Sequence, residues 1–288
     1  MQNIKKILVA IDRSAMAEEV LKRAIFIAKE NNAQLIVIHV IEPYFIEYPF
    51  IPSVNEEDVK KKVTEQVERL TVEADIEYIL FVESGSTASS IILASQKNKA
   101  NLLIIGSHAN NDLDNNYFGS TTLKVIQKTH IPVLIVKNEA KFNYENLLAP
   151  TNLSDSSKES IQFSRKLFKD TSLKYLYAYE TIDEFRALTY RISVDQQIQF
   201  KRELLLDAKT ALEQFVKETG EGEMALISYQ ALQNQVLLEY VKKDEADLLV
   251  LGSKGVDDLN AFIFGSTASY LAQRSPIDVL AYVPIINS

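Results

Sequence analysis

One pattern of glycine and hydroxyl residues occurs twice in this chain, and the repetition constrains the fold more than any other feature. The segment GSKGVDDLNAFIFGST occupies residues 252–267, and GSHANNDLDNNYFGST occupies residues 106–121. In both segments, nine residues separate an initial group of four residues from a terminal Gly-Ser-Thr. The whole chain has only eight glycines in 288 residues. Each copy follows an apolar run. An internal repeat of this kind indicates a duplicated structural unit.

Other blocks repeat in the same order, at offsets of 140 to 146 residues. The matching pairs are ILVAIDRS (7–14) with LLAPTNLS (147–154), NLLIIGSHA (101–109) with DLLVLGSKG (247–255), and IPVLIV (131–136) with IDVLAY (277–282). We therefore expect two domains, residues 1–138 and 146–288, which meet at the polar stretch NEAKFNYE. The drift in offset indicates a length difference in one loop or helix.

Each copy alternates short apolar runs with helical patterns. In the first copy the predicted strands are KILVAI, QLIVIHVI, EYILFV, NLLIIG and VLIV, and the continuous apolar run KILVAI is typical of a strand buried on both faces. Four helices are predicted in this copy. The first, Ser14–Asn31, has one apolar face formed by Val20, Leu21, Ala24, Ile25 and Ala28. The second is a charged helix with Ser53 and Glu56 as its capping box, and the other two are Ala88–Lys97 and Ser120–Lys128. Strands separated by helices imply parallel βαβ units. The expected fold class is α/β, with two tandem doubly wound domains.

The repeated glycine motif lies where such sheets bind ligands, beyond the carboxyl ends of the strands. It follows the fourth strand directly, and its Gly-Ser-Thr opens a helix, whose free N–H groups and dipole favour an anion. Glycine also permits positive φ and a close backbone approach. The alternative is that Gly-Ser merely turns the chain, but two copies in the same context favour a ligand site.

Composition excludes several classes of function. A net charge of −8 and an isoelectric point near 5.1 argue against nucleic-acid and polybasic membrane partners. The chain has no cysteine, which excludes disulfides and cysteine metal sites and is compatible with a reducing compartment. The apolar run near the N-terminus is too short for a signal peptide or a membrane span. We expect a cytoplasmic protein.

These motifs together resemble the universal stress protein family. The resemblance rests on a first strand that ends near Asp12, a second strand that ends in HV, and the spacing G-x-x-G-9x-G-[ST], and it covers both halves of the chain. It implies a five-stranded parallel sheet of order 3-2-1-4-5 in each half. Members pair through their last strands, so an intrachain pseudo-dimer is implied, with a homodimer as a further form. Some members bind ATP with the glycine motif on the phosphates and ribose and with the first-strand Asp near adenine and ribose, and others bind no nucleotide.

The resemblance carries a nucleotide pocket onto named residues of each copy. In the second copy these are Pro150, Thr151, Asn152, Ala178, Leu251, Gly252, Ser253, Lys254, Gly255, Gly265, Ser266, Thr267 and Ala268. In the first copy they are Ala10, Ile11, Asp12, Val40, Ile105, Gly106, Ser107, His108, Ala109, Gly119, Ser120, Thr121 and Thr122.

Each copy departs from the family pattern at a different place. The first has Ala109 for glycine, whose β-carbon would cost about 1 kcal/mol at positive φ. The second has Asn152 for aspartate, an amide that could still accept a hydrogen bond from a ribose hydroxyl. Both nine-residue loops carry two aspartates and no Lys or Arg, which opposes a triphosphate unless Mg²⁺ intervenes. The second copy keeps three glycines and Lys254, so we expect it to bind if only one copy does.

Other motifs give weaker signals. His39, His108 and His130 lack metal-ligand spacing, and no Walker A lysine, nucleophile elbow or paired base is present. The insert PYFIEYPFIP (43–52) is interpreted as a lid or packing loop, and the tyrosines of residues 175–190 as core and interface. The expected function is a stress-response or sensing protein, with a degenerate ATP or AMP site that tunes contacts with an unidentified protein partner. The alternatives are a slow ATP hydrolase or phosphotransferase and a nucleotide-free interaction module.

Overall fold

The computed structural model describes residues 4–42, 55–107, 118–140, 143–253 and 265–283, which form two compact units. The first unit contains the described residues up to Asn143 together with Val283, and the second contains those from Tyr144 to Tyr282. Over the described ranges, no helix is both long enough and apolar enough to cross a membrane.

The first unit is a parallel sheet with helices between its strands. Its elements are β1 (Lys6–Ile11), α1 (Ala17–Asn31), β2 (Gln34–Ile41), α2 (Glu56–Ala74), β3 (Tyr78–Ser84), α3 (Thr87–Lys97), β4 (Leu102–Gly106), α4 (Ser120–Lys128) and β5 (Val133–Val136). The strands lie in the order β3-β2-β1-β4-β5, and every pair is parallel. The order reverses between β1 and β4, which creates the crevice of a doubly wound fold.

The second unit repeats this arrangement. Its elements are β6 (Asn146–Thr151), α5 (Asp155–Leu167), β7 (Ser172–Glu180), α6 (Glu184–Thr189), α7 (Val194–Thr219), β8 (Glu223–Tyr229), α8 (Gln233–Lys243), β9 (Leu248–Gly252), α9 (Ser266–Arg274) and β10 (Asp278–Tyr282). Its strand order is β8-β7-β6-β9-β10, again all parallel. The predicted fold class, with order 3-2-1-4-5 in each half, is confirmed.

The largest change in repeat offset arises between the second and third strands of each unit. The strands β2 and β7 begin 138 residues apart, whereas β3 and β8 begin 145 residues apart. Between those strands the second unit has α7 with 26 residues, and the first unit has α2 with 19 residues. The drift is therefore a helix-length difference, as the sequence indicated.

The central strands form the cores of both units. Leu102, Leu103 and Ile104 of β4 are inaccessible to solvent, and Leu248 and Leu249 of β9 are equally buried. The predicted apolar face of α1 is buried as well, at Val20, Leu21, Ala24, Ile25 and Ala28. Continuous apolar runs thus predicted the buried strands correctly, because strands covered by helices on both faces have no polar side.

Two predicted helix starts are wrong. The helix α1 begins at Ala17 rather than Ser14, because the Ser14 backbone and hydroxyl both bond to the Asp12 carboxylate instead of capping a helix. The helix α2 begins at Glu56, and its N-cap is Asn55, whose side chain accepts from the Glu57 N–H at 3.1 Å. Ser53, the predicted cap, lies outside the described residues, as does the insert at residues 43–52.

Candidate functional site

Both units present a helix N-terminus next to the end of their fourth strand. In the first unit the Ser107 N–H donates to the Val136 carbonyl at 3.0 Å, and in the second the Ser253 N–H donates to the Tyr282 carbonyl at 3.0 Å. The following helices, α4 and α9, have Gly119 and Gly265 at the N-cap, with φ of −61° and −55°. The sequence repeat is therefore a repeat of local geometry.

The second unit contains a pocket of about 230 Å³ at the carboxyl ends of β6 and β9. Nine of the residues predicted for this copy line it: Pro150, Thr151, Asn152, Leu251, Gly252, Gly265, Ser266, Thr267 and Ala268. The residues predicted from the sequence come from two strand ends and one helix start, up to 118 positions apart in the chain, and the structure places them around one pocket. Which of them contact a ligand stays a prediction.

Two further described residues predicted for the second copy, Ala178 and Ser253, do not line the pocket. Ala178 is buried in β7, where it pairs with Ile227 of β8, and Ser253 is fully buried behind the end of β9. Lys254 and Gly255 lie outside the described residues, so the cation and the second glycine of the motif stay predictions.

The N-terminus of α9 is the most polar feature of the pocket. Gly265 provides no side-chain cap, and the N–H groups of Ser266 and Thr267 have no acceptor within the described part of the chain. The Thr267 hydroxyl donates to Asn234 Oδ1 at 2.7 Å, which fixes its side chain against α8. The first turn of α9 can therefore offer backbone N–H groups to an anion.

The N-cap glycines do not need the left-handed region. Gly265 has φ of −55° and ψ of 154°, which any residue can adopt, and a β-carbon built there would meet nothing within 4 Å. Glycine permits positive φ, but neither N-cap glycine adopts it, because the chain enters each helix in extended conformation. What Gly265 supplies is open space beside the amides.

Gly252 permits a close approach within the protein, whereas a close approach of its backbone to a ligand stays a prediction. A β-carbon at this position would lie 2.6 Å from the Ser156 carbonyl oxygen and 2.8 Å from its Oγ, closer than real β-carbons approach such atoms. The Ser156 hydroxyl also bonds to the Ser253 carbonyl. The glycine at the end of β9 therefore lets the first turn of α5 pack directly on the strand, which helps to form the floor of the pocket.

Asn152 lies at the mouth of the pocket, and its side-chain carbonyl oxygen is already engaged. Asn152 Oδ1 accepts from the Ser154 N–H at 3.2 Å, from the Ser154 hydroxyl at 2.6 Å and from the Ser157 hydroxyl at 2.9 Å. Three donors thus already approach this oxygen, and a further bond to it from a ribose hydroxyl stays a prediction. A carbonyl oxygen has two lone pairs, and three donors occupy them.

The first unit arranges its predicted residues in a similar way. Asp12 Oδ1 accepts from the Ser14 N–H at 2.9 Å and from the Ser14 hydroxyl at 2.6 Å. Two hydrogen bonds connect the two ends of the motif. The Thr122 hydroxyl donates to the Gly106 carbonyl, and the Gly119 N–H donates to the Ser107 carbonyl, both at 2.9 Å.

Strand pairing places the other residues predicted for the first copy. Ala10 pairs with Ile105, Ile11 pairs with His39, and Val40 pairs with Glu83 on the far side of β2. Ser120 and Thr121 open α4. His108 and Ala109 lie outside the described residues. Ala10, Ile105 and the start of α4 thus lie at one edge of the sheet, whereas Val40 pairs with β3 on the other side of β2.

Several residues of the pocket were missed. These are Ser154, Ser156 and Ser157 before and within the first turn of α5, Gln233 and Leu237 of α8, and Leu271 of α9. One signal was available, because Asn152-Leu153-Ser154 repeats the spacing of Asp12-Arg13-Ser14. The contributions of α8 depend on tertiary packing, which spacing along the chain does not reveal.

The pocket is polar but carries no charge within the described part of the chain. The residues that line it include no Lys, Arg, Asp, Glu or His. Over the same described ranges, no cluster of three His, Cys, Asp or Glu side chains could hold a metal ion. An anion at this site would thus be held by backbone N–H groups, hydroxyls and the α9 dipole.

His39 has a structural position in the first unit. It is 4% exposed in β2, and its Nδ1 lies 2.9 Å from the Ile11 carbonyl, to which it donates. Burial lowers the pKa of His39, and the bond to Ile11 partly opposes this effect. The side chain is therefore a neutral core group, in agreement with its interpretation as a strand residue.

Comparison with known proteins gives a consistent picture. The sequence profile of the universal stress protein family matches residues 3–137 and again residues 143–283. A universal stress protein of Mycolicibacterium smegmatis is 23% identical over 302 residues, which covers 96% of this chain and 97% of the relative. One of Methanocaldococcus jannaschii is 31% identical over 147 residues, or 48% of this chain and 84% of the relative. The crystal structure of a universal stress protein from Archaeoglobus fulgidus covers 99% of this chain and 100% of its own, at 17% identity and a TM-score of 0.70.

Proposed function

The chain belongs to the universal stress protein family as a tandem member, and on this basis we propose that its second unit binds an adenine nucleotide. We further propose that occupancy of this pocket tunes contacts with a protein partner. The observation that carries the proposal is the uncapped N-terminus of α9, which opens onto a pocket between two strand ends.

The donor set fits a phosphate group. The N–H groups at the start of α9 carry the positive end of the helix dipole, and Gly265 leaves the space beside them open. The hydroxyls of Ser266 and Ser156 add further polar groups to the lining. No carboxylate lines the described part of the pocket, whereas the two aspartates of the nine-residue loop lie outside the described residues.

The size of the pocket favours a small nucleotide. Its volume of about 230 Å³ lies below the roughly 300–1,000 Å³ typical of sites for drug-sized ligands. This supports AMP over ATP as the better ligand. A Mg²⁺ ion that accompanied ATP would take its oxygen ligands from phosphates and water, since the described lining supplies no carboxylate.

The lining supports binding rather than catalysis. It offers hydroxyl groups, but among the described residues it has no imidazole, carboxylate or amine that could activate a nucleophile. Prolonged incubation with labelled ATP tests this directly. Turnover above background in the wild type that is lost in Gly265→Asp would favour a slow hydrolase or phosphotransferase.

Gly265→Asp separates loss of binding from loss of folding. Aspartate at an N-cap stabilises a helix by a few tenths of a kcal/mol relative to glycine, and no atom lies within 4 Å of the new β-carbon. Its carboxylate would occupy the α9 amides and repel phosphate. We expect AMP affinity to fall at least tenfold by calorimetric titration, while the melting temperature stays equal or rises.

The matched control is Gly119→Asp, which makes the same change at the N-cap of α4 in the first unit. If the first unit does not bind, this variant retains the AMP affinity of the wild type. Loss of binding in Gly119→Asp together with unchanged binding in Gly265→Asp would overturn the assignment to the second unit. Absence of AMP and ATP binding by the wild type would leave the nucleotide-free interaction module as the better description.

A further inference from the structure

We propose that the N-terminal half of α7 pairs with the same segment of a second copy of this chain, as two antiparallel helices. This pairing does not rest on the nucleotide site. The helix α7 packs against β7 and β8, at the opposite side of the second unit's sheet from β10. The surface therefore differs from the last-strand pairing that the family resemblance implies.

The N-terminal half of α7 extends beyond the part of the helix that packs on the sheet. The first buried residue of α7 is Ala208, and residues 194–207 are all half-buried or exposed. In α2, the equivalent helix of the first unit, the first buried residue is Val59, at the fourth position. A helical stretch of about 14 residues without tertiary packing is marginally stable in water. Contacts with a second molecule would therefore stabilise this half of α7.

Exposed large hydrophobic side chains are concentrated in the same region. Among the described residues, seven of the twelve such side chains fall between Leu188 and Leu206. Within α7, Val194, Ile198 and Leu206 are 70%, 45% and 64% exposed. Single exposed apolar residues are ordinary on a protein surface, but a cluster of them marks a surface for association.

The residues of this cluster share one face of α7 with a few charged side chains. The face consists of exposed residues three or four positions apart, Val194, Ile198, Arg202, Leu205 and Lys209, with Asp195 and Leu206 beside them. One acidic and two basic side chains on this face give it a slight positive charge, whereas the whole chain carries −8. Two copies repel each other overall, so this face lets them approach with less repulsion.

An antiparallel arrangement makes the face complementary to itself. With a two-fold axis at Arg202, residues equally far before and after that position lie opposite each other. Asp195 then faces Lys209 of the other copy and Ile198 faces Leu206, and the symmetry repeats each contact. Arg202 meets its own copy on the axis, where its aliphatic stem covers apolar surface and its guanidinium stays in water. A parallel arrangement would instead place identical charges side by side.

Sedimentation velocity of the full chain over low to high micromolar concentrations tests the pairing. The wild type should form a reversible dimer of twice the 32.6 kDa chain. Leu206→Ser should raise the dissociation constant at least about tenfold, because it removes an apolar contact that occurs twice. The matched control is Val72→Ser, at a 77% exposed position of α2, which should leave the dissociation constant unchanged.

Exchange of the two opposed charges tests the antiparallel arrangement. Lys209→Glu sets a carboxylate opposite Asp195, and Asp195→Lys sets an ammonium group opposite Lys209, so each single variant should dimerise at least about tenfold more weakly. The double variant restores opposite charges and should recover the dissociation constant to within about threefold of the wild type. Circular dichroism and melting temperatures establish that each variant is folded.

The outcomes are decisive for this surface. A wild type that stays monomeric at high micromolar concentration would overturn the proposal and leave the face to a different partner. A dimer that Leu206→Ser does not weaken would also overturn it, because another surface would then hold the copies together. Failure of the double variant to recover would overturn the antiparallel arrangement. Titration with AMP bears only on the proposed nucleotide site, so the two proposals can fail separately.

Discussion

Replacement of Gly252 by alanine should destabilise the second unit through one backbone contact. The new β-carbon would lie 2.6 Å from the Ser156 carbonyl oxygen, and real β-carbons are essentially never closer than 3.0 Å to such an atom. The oxygen belongs to the backbone of α5, so no side-chain rotation can relieve the overlap. The first turn of the helix must move away from β9 and loosen its packing.

The expected magnitude is a balance of two effects. Overpacking of a close contact costs about 1–3 kcal/mol. Alanine also lowers the conformational entropy of the unfolded chain, which stabilises the folded state by about 0.4–1 kcal/mol. The net loss in the free energy of unfolding should therefore be about 1–2 kcal/mol, measured by urea denaturation with far-ultraviolet circular dichroism.

Gly265→Ala is the matched control, since it makes the same change in the same motif where the space is open. At φ of −55° alanine is unstrained, and the entropic gain offsets its poorer N-capping, so stability should stay within about 0.5 kcal/mol of the wild type. Equal stability of Gly252→Ala and Gly265→Ala would refute the reasoning, because it would show that α5 can withdraw from β9 at no cost.

Two pH dependences follow from buried groups. Because burial lowers the pKa of His39, the unfolded chain binds more protons below about pH 6.5, so the free energy of unfolding should fall there by up to about 1.4 kcal/mol per pH unit. His39→Gln should lessen that acid dependence in urea denaturation at pH 7 and 5, and an unchanged slope would contradict it. Burial, with a smaller contribution from Glu159, raises the pKa of Tyr282 to about 12, so stability should fall above pH 10, where the unfolded tyrosine ionises first. Tyr282→Phe should weaken this alkaline loss, and spectrophotometric titration should show one fewer tyrosine with a raised pKa.

Much of the fold could be predicted from the sequence because its central strands are buried on both faces. Apolar runs such as residues 102–105 leave no other assignment in a chain that alternates them with helical patterns. Helix starts were less predictable. Ser14 has the right type and spacing for a cap, but the neighbouring Asp12 carboxylate binds its N–H and hydroxyl.

The site was predictable in position and less so in chemistry. Repeat spacing located Asn152, Gly252 and Gly265 at one edge of the sheet. The hydrogen bonding of the Asn152 side chain depends on the Ser157 hydroxyl, which reaches Asn152 Oδ1 only because α5 begins there. Likewise, the reason for Gly252 is an approach by Ser156, a contact across 96 positions in the chain that no local pattern encodes.

An anion held by the first-turn amides of α9 would depend on N–H groups that every residue type except proline possesses. Alanine scanning would leave those N–H groups in place, and so would most exchanges at Ser266 or Thr267. Such a site is lost by acquiring a side chain, not by losing one, and Gly265 is the open position where the acquisition would do it. A comparison of ligand-binding side chains would therefore misjudge which copies of a duplicated domain can still bind an anion. The residue at this one glycine position would indicate it.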